Sequence, residues 1–297
     1  MFPIPSIEER ENIVSKTLVI TLPLTVGLLA SALLSATATA QTGPQPKSPP
    51  PEAHAKAREQ LNKGVQAFKN AQYDAAVEHF TAAVELDPDF TTARLYLATA
   101  YMQQYIPGAD SSDNMKMADE AQAQFEKVLE QDPGNILAIA SLGSLLFNEK
   151  KLDEAEQWYQ KLVSVDPSNK EAYYTLGVIA WTKAFRPITD ARAQLGMKPA
   201  DPGPLTDSNV RAAIAFTNRP LIEAGIKHLE KAIEIDPEYD DAMAYENLLY
   251  RLKADLEESP EAYEADIDAA NRFLARVLET RKVKAERNAR PPTQDPR

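Results

Sequence analysis

Four aspartate-proline pairs, Asp87-Pro88, Asp132-Pro133, Asp166-Pro167 and Asp236-Pro237, each close a stretch of helical periodicity. Proline cannot continue a helix and pushes the residue before it towards extended geometry, so each pair ends one helix and limits where the next begins. The prolines stand 45, 34 and 70 residues apart. The middle interval, GNILAIASLGSLLFNEKKLDEAEQWYQKLVSVDP, holds one complete unit. Its first half sets Leu142, Leu145, Leu146 and Phe147 on nearly every face of a helix, and a polar turn, NEKKLD, follows. Ala155, Tyr159 and Leu162 then recur at helical spacing, so the unit reads as a hairpin of helix A and helix B.

Leu142-Gly143 in helix A, Ala155 and Tyr159 in helix B and the closing Pro167 together resemble the tetratricopeptide repeat, with Leu162 in place of a later alanine. The same frame picks out Gly64, Ala76, Phe80, Ala83 and Pro88 in a first repeat, and Tyr101, Ala121, Phe125 and Pro133 in a second. In a fourth it picks out Leu176-Gly177, Ala232 and Pro237. A fifth unit starts at Asp240 and loses the pattern after Tyr250. The small residues let paired helices approach closely, and aromatic side chains fill the gap that remains. The resemblance implies an all-α fold, an α-solenoid of about five helical hairpins over residues 54–287.

Against a unit of 34 residues, the first proline interval carries 11 extra residues and the last carries 36. The frame puts both additions between helix A and helix B, in repeats two and four, with the longer one over about 185–220. The fifth unit also spends more chain than a tight turn needs before its stripe of Tyr263, Ile267, Ala270 and Leu274. In a stacked solenoid such turns share one edge, so the three insertions are expected to form a rim.

Residues 1–40 have the layout of a signal peptide, because Thr17–Leu34 is uncharged and apolar and Ala38 and Ala40 offer a small-residue cleavage site. An uncleaved membrane anchor is the competing reading. Either way the rest of the chain is expected outside the cytoplasm, periplasmic or secreted. Residues 41–53 read as a proline-rich linker and 288–297 as a disordered tail.

The absence of cysteine removes disulfides, thiolate nucleophiles and cysteine zinc sites. A formal charge of −12 argues against nucleic acid or an anionic membrane surface as the main partner. One local exception is Arg281, Lys282, Lys284, Arg287 and Arg290, either a solvated last helix whose cations complement its dipole or a patch for an acidic surface.

No catalytic residues, metal site or cofactor are expected. His54, His79 and His228 lack the spacing of paired ligands, and there is no nucleophile elbow, phosphate loop or dinucleotide fingerprint. The segment YIPGADSSDN over 105–114 offers hard oxygens without the alternation or glycine of a calcium loop. Ser111, Ser112 or Asp113 is better suited to cap the helix that follows.

The A-helix face is more informative. The fifth, ninth and twelfth positions of the units give a groove of Leu61, Val65 and Phe68, Leu95 and Met102, Phe147, and Tyr174, Val178 and Trp181. This groove lacks the basic and asparagine residues with which chaperone-binding members of the family hold a terminal carboxylate. Helices apolar on every side need covering on every side. Two readings stand: a partner's helix or peptide lies in the groove, or the 185–220 insertion covers it. Tyr105, Ile106 and Pro107 are the candidate contacts on the rim.

The expected role is a non-enzymatic scaffold or adaptor binding an unidentified protein of the cell envelope. A fixed accessory subunit of an envelope assembly is one alternative. A small-molecule binder or enzyme with a pocket beneath the insertion is another.

Overall fold

The computed structural model describes residues 50–289 apart from Pro199. The expected signal peptide or anchor, most of the linker and the tail beyond Ala289 lie outside the described residues. Among the described residues are ten helices and no strands. In chain order they are α1 (Pro51–Lys69), α2 (Tyr73–Leu86), α3 (Thr91–Gln104), α4 (Ser112–Gln131), α5 (Ile136–Asn148), α6 (Leu152–Val165), α7 (Lys170–Gln194), α8 (Ser208–Ile235), α9 (Asp240–Ala254) and α10 (Pro260–Ala289). They divide into two compact units, α1–α5 up to Glu149 and α6–α10 from Lys150 onward. Two boundaries differ from the sequence reading. Helix α1 begins at Pro51 because proline at the first helical position sacrifices no hydrogen bond, and α10 continues to Ala289.

The aspartate-proline pairs form one recurring corner. Asp87, Asp132, Asp166 and Asp236 each end a helix with φ between −129° and −142°, the extended geometry that a following proline imposes. Each aspartate carbonyl then accepts a hydrogen bond from the amide three residues on: Phe90, Asn135, Asn169 and Tyr239. Three of the carboxylates fold onto the same turn, accepting from the amides of Asp89, Ser168 and Glu238. Asn135 and Asn169 cap the next helices by accepting from Ala138 and Ala172. The dipeptide therefore stops helix B and sets the start of the next helix A.

The hairpins close where the small residues stand. In the first unit Leu61, Ala67, Ala76, Phe80, Ala83, Ala93, Leu97 and Ala100 make one buried cluster. A Cβ on Gly64 would meet the Phe80 ring at 2.4 Å. In the second unit a Cβ on Gly177 would meet Leu229 Cγ at 2.4 Å, and Leu229 is fully buried. Gly177→Ala is accordingly expected to destabilise the protein by about 1–3 kcal/mol through overpacking. A melting temperature within a degree of wild type would show that α7 and α8 separate at little cost.

The extra residues of repeats two and four are largely helical. Helix α4 has 20 residues against 14 in α2, and a connection over 105–111 precedes it. In repeat four, α7 runs 25 residues through Pro187 and α8 runs 28 through Pro220, so the addition mostly prolongs both arms of the hairpin. Both prolines are exposed there. In the fifth hairpin only Asp255–Ser259 separates α9 from α10.

Candidate protein-binding surfaces

In the first unit the A-helix face is only partly consumed by packing. Leu61 is buried, whereas Val65 and Phe68 are half-buried against the cluster, and Phe68 meets Tyr73 edge-on at 5.4 Å. Leu95 and Met102 on α3 are half-buried, and Phe147 on α5 is buried. Ile136 and Leu137, at the first turn of α5, are 44% and 54% exposed. Sequence reasoning missed these two because it sampled only the fifth, ninth and twelfth positions. The signal was an apolar pair placed directly after the cap Asn135, where polar residues usually stand.

The second unit corrects the groove as first read. Tyr174, Val178 and Trp181 are all buried. Tyr174 packs against Tyr239 at 5.1 Å and Tyr245 at 5.6 Å, and Trp181 meets Tyr245 at 5.6 Å and Phe185 at 4.8 Å. The neighbouring helix A, α9, supplies Tyr245 and is preceded by Tyr239. An open groove does not describe these residues, because the chain covers them itself: the next hairpin supplies Tyr239 and Tyr245, and the insertion contributes its first residue, Phe185, against Trp181. Tyr174 and Trp181, the residues expected to line a pocket beneath the insertion, are buried among these rings. Burial pushes the Tyr245 phenol up to about 12, as expected for a hydroxyl inside an aromatic cluster.

The added chain of repeat four instead packs on the α9–α10 turn. Arg192, buried, pairs with Asp255 and donates to the carbonyls of Lys198 and Asp201. The Leu205 amide donates to the Asp255 carbonyl at 2.9 Å, and Arg219 reaches Glu257 at 2.6 Å. Ile188 and Leu205 are buried, while Phe216 on the outer side is 83% exposed.

In the first unit, YIPGADSSDN is organised by Asn114. The Asn114 carboxamide accepts from the Ile106 amide at 2.6 Å and donates to the carbonyls of Ile106 and Ala109. Ser111 caps α4 by accepting from the Asn114 amide, and Gly108 takes φ +83°. Tyr105 is buried, so of the three rim residues only Ile106 and Pro107 are presented outward, Ile106 at 64% exposure. The buried Tyr105 side chain points this part of the rim inward.

Three residues of the basic run near the C-terminus turn onto their own fold. Arg281 pairs with Asp240 and Asp241, Lys284 with Asp240 and Arg287 with Glu238. Against the upward push of burial, Lys284 and Arg281 hold the Asp240 carboxyl below its ordinary range. These cations fasten α10 to the start of α9. The histidines are likewise engaged within their units: His54 with Asp87 at 2.5 Å, His79 with Gln60 at 2.9 Å, and His228 beside Tyr173.

Close-packed hairpins, glycine or alanine at their crossings and a proline-terminated helix B define an all-α repeat protein of the α-solenoid class. Residues 61–105 and 115–177 each match a tetratricopeptide-repeat family model, and the hairpins within those residues are tetratricopeptide repeats. No curated protein matches the chain in sequence. Among solved structures it is similar to a crystal structure of MamA, at 17% identity and a TM-score of 0.55, over 78% of this chain and 94% of that one. It is also similar to MamA 41-end from Desulfovibrio magneticus RS-1, at 16% identity and a TM-score of 0.51, over 77% of this chain and 96% of that one. At such identities the likeness shows the fold, which is one that proteins use to hold other proteins on extended surfaces.

Proposed function

We propose that this protein is a non-enzymatic scaffold that binds a helix or extended peptide of another protein along the A-helix face of its first unit. The supporting observation is the contrast between the units. Val65, Phe68, Leu95 and Met102 keep apolar surface exposed and Ile136 and Leu137 add more, whereas Tyr174, Val178 and Trp181 are packed away. An apolar docking face suits an amphipathic helix or an apolar peptide. We place the scaffold outside the cytoplasm on the strength of the apolar segment Thr17–Leu34 and the Ala38/Ala40 cleavage pattern.

The test is a Leu95→Glu, Met102→Glu double variant used to capture cross-linked partners from native envelope. Both positions are half-buried, so stability is expected to change by no more than about 1–2 kcal/mol. Partner capture is expected to fall about tenfold or more, as when central apolar contacts are lost. Capture equal to wild type would remove this face from consideration. For the location, a mature N-terminus at Gln41 is the expected result, and a retained apolar segment would replace secretion by anchoring.

A further inference from the structure

The A-helix face of the first unit is apolar, and across α3 and α5 it is also without charge to offer. These helices hold 14 and 13 residues, and the single charged side chain among them is Arg94. Arg94 is buried and already committed, donating to Gln124 at 2.9 Å and to the Pro88 carbonyl at 2.7 Å. Helix B of the same hairpin, α4, is by contrast charged along its length, from Asp113 to Glu130. On α1, Lys56 pairs with Glu52 and Lys63 with Glu59 along the helix itself. A charge carried by an occupant over Leu95, Met102, Ile136 and Leu137 would lose its water and find no counter-charge on α3 or α5. The face selects an uncharged stretch of chain.

The sequence contains such a stretch. Between Lys16 and Lys47 no acidic or basic side chain occurs, and Thr17–Leu34 is the apolar part of that interval. It is joined to the face by a short tether. Residues 35–49 connect Leu34 to Pro50, immediately before α1, and α1 carries Val65 and Phe68 of the same face. Those 15 residues reach about 50 Å when extended, whereas a helix of 19 residues such as α1 is about 28 Å long. The tether therefore allows the segment to lie anywhere along the face. An occupant on a short flexible tether has an effective concentration on the order of millimolar, so it outcompetes a free occupant of similar affinity.

We propose that in the uncleaved chain residues 17–34 occupy the A-helix face of the first unit, against Leu95, Met102 and Leu137, and that removal of residues 1–40 opens this face to a partner. The inference rests on the reading of that face as the docking site and adds its regulation. Partner binding then begins only after processing, because the chain's own apolar segment covers the surface first.

Photo-cross-linking of the full 297-residue chain, expressed without export so that residues 1–40 are retained, tests this. A benzophenone side chain is placed at Leu137, which is 54% exposed and has room for it, and in a second protein at Met102 on a different helix. At sub-micromolar concentration both are expected to give a product of monomer mass, with the new bond mapping to residues 17–34. That product should fall about tenfold or more in a Leu22→Arg, Leu28→Arg variant, whose charges find no partner on the face. Partner capture by the processed chain, compared with its Leu95→Glu, Met102→Glu variant, remains the separate test of the docking face. Loss of capture without the cross-link removes self-occupancy alone, whereas the cross-link with capture unchanged removes the partner. A product of dimer mass would assign the face to a second copy's segment. That result overturns the proposal, as do bonds only outside residues 17–34, no bond from either position, or a yield unchanged by the two arginines.

Discussion

Trp181→Ala is expected to lower the melting temperature steeply, with a loss on the order of 3–5 kcal/mol. Trp181 is 6% exposed and touches two rings, the Tyr245 edge and Phe185. Its removal leaves a cavity beside Tyr245, which is itself buried and packed against Tyr174. For a chain of this size the loss corresponds to a fall of roughly 6–20 °C. Met102→Ala, at a half-buried position, is expected to move the midpoint far less. Thermal unfolding of the two variants side by side gives the comparison. Equal, small shifts for both would mean that Trp181 faces a groove open to a partner and that the aromatic cluster contributes little.

The reason Trp181 was misplaced at sequence level is physical. In a stacked hairpin array one helix-A position faces either a partner or the following helix A, and the choice depends on how bulky that following helix is. Helix α9 brings Tyr245, with Tyr239 just before it, large enough to close the face of α7, whereas α3 keeps Leu95 and Met102 half-open. Periodicity within one helix does not contain that information. The aspartate-proline corners were legible because their hydrogen bonds are local, spanning three or four residues. So were the glycine crossings at Gly64 and Gly177, where the side chain missing from the sequence is the contact itself. The Asn114 hub was half legible: a capping serine could be expected from Ser111, but a carboxamide reaching back eight residues to Ile106 depends on the loop already being folded. The basic residues of α10 could not be assigned from charge alone. Their partners, Glu238, Asp240 and Asp241, lie 40 to 49 residues upstream and come into reach only once α10 packs beside α9.

Glu246→Leu is expected to stabilise the protein, and by an amount that depends on pH. Burial, reinforced by the Glu230 carboxylate on α8 and opposed by Arg276 on α10, pushes the Glu246 carboxyl up to about 8 from an ordinary value of 4.5. Tyr250 lies on the same helix face and adds no charge in this range. Between pH 4.5 and about 8 the folded chain therefore keeps a proton that the unfolded chain has released. Stability contributed by this group is complete below pH 4.5, declines as pH rises through that window, and is at its lowest above about 8. Leucine, the residue type in the same register of α3, α5 and α7, has no proton to lose. The advantage of Glu246→Leu should thus be larger at pH 8 than at pH 5, with the difference reaching on the order of 3–4 kcal/mol. Denaturant unfolding of both proteins at the two pH values measures it directly. An advantage of the same size at both would show that Glu246 is ionised throughout and already paired.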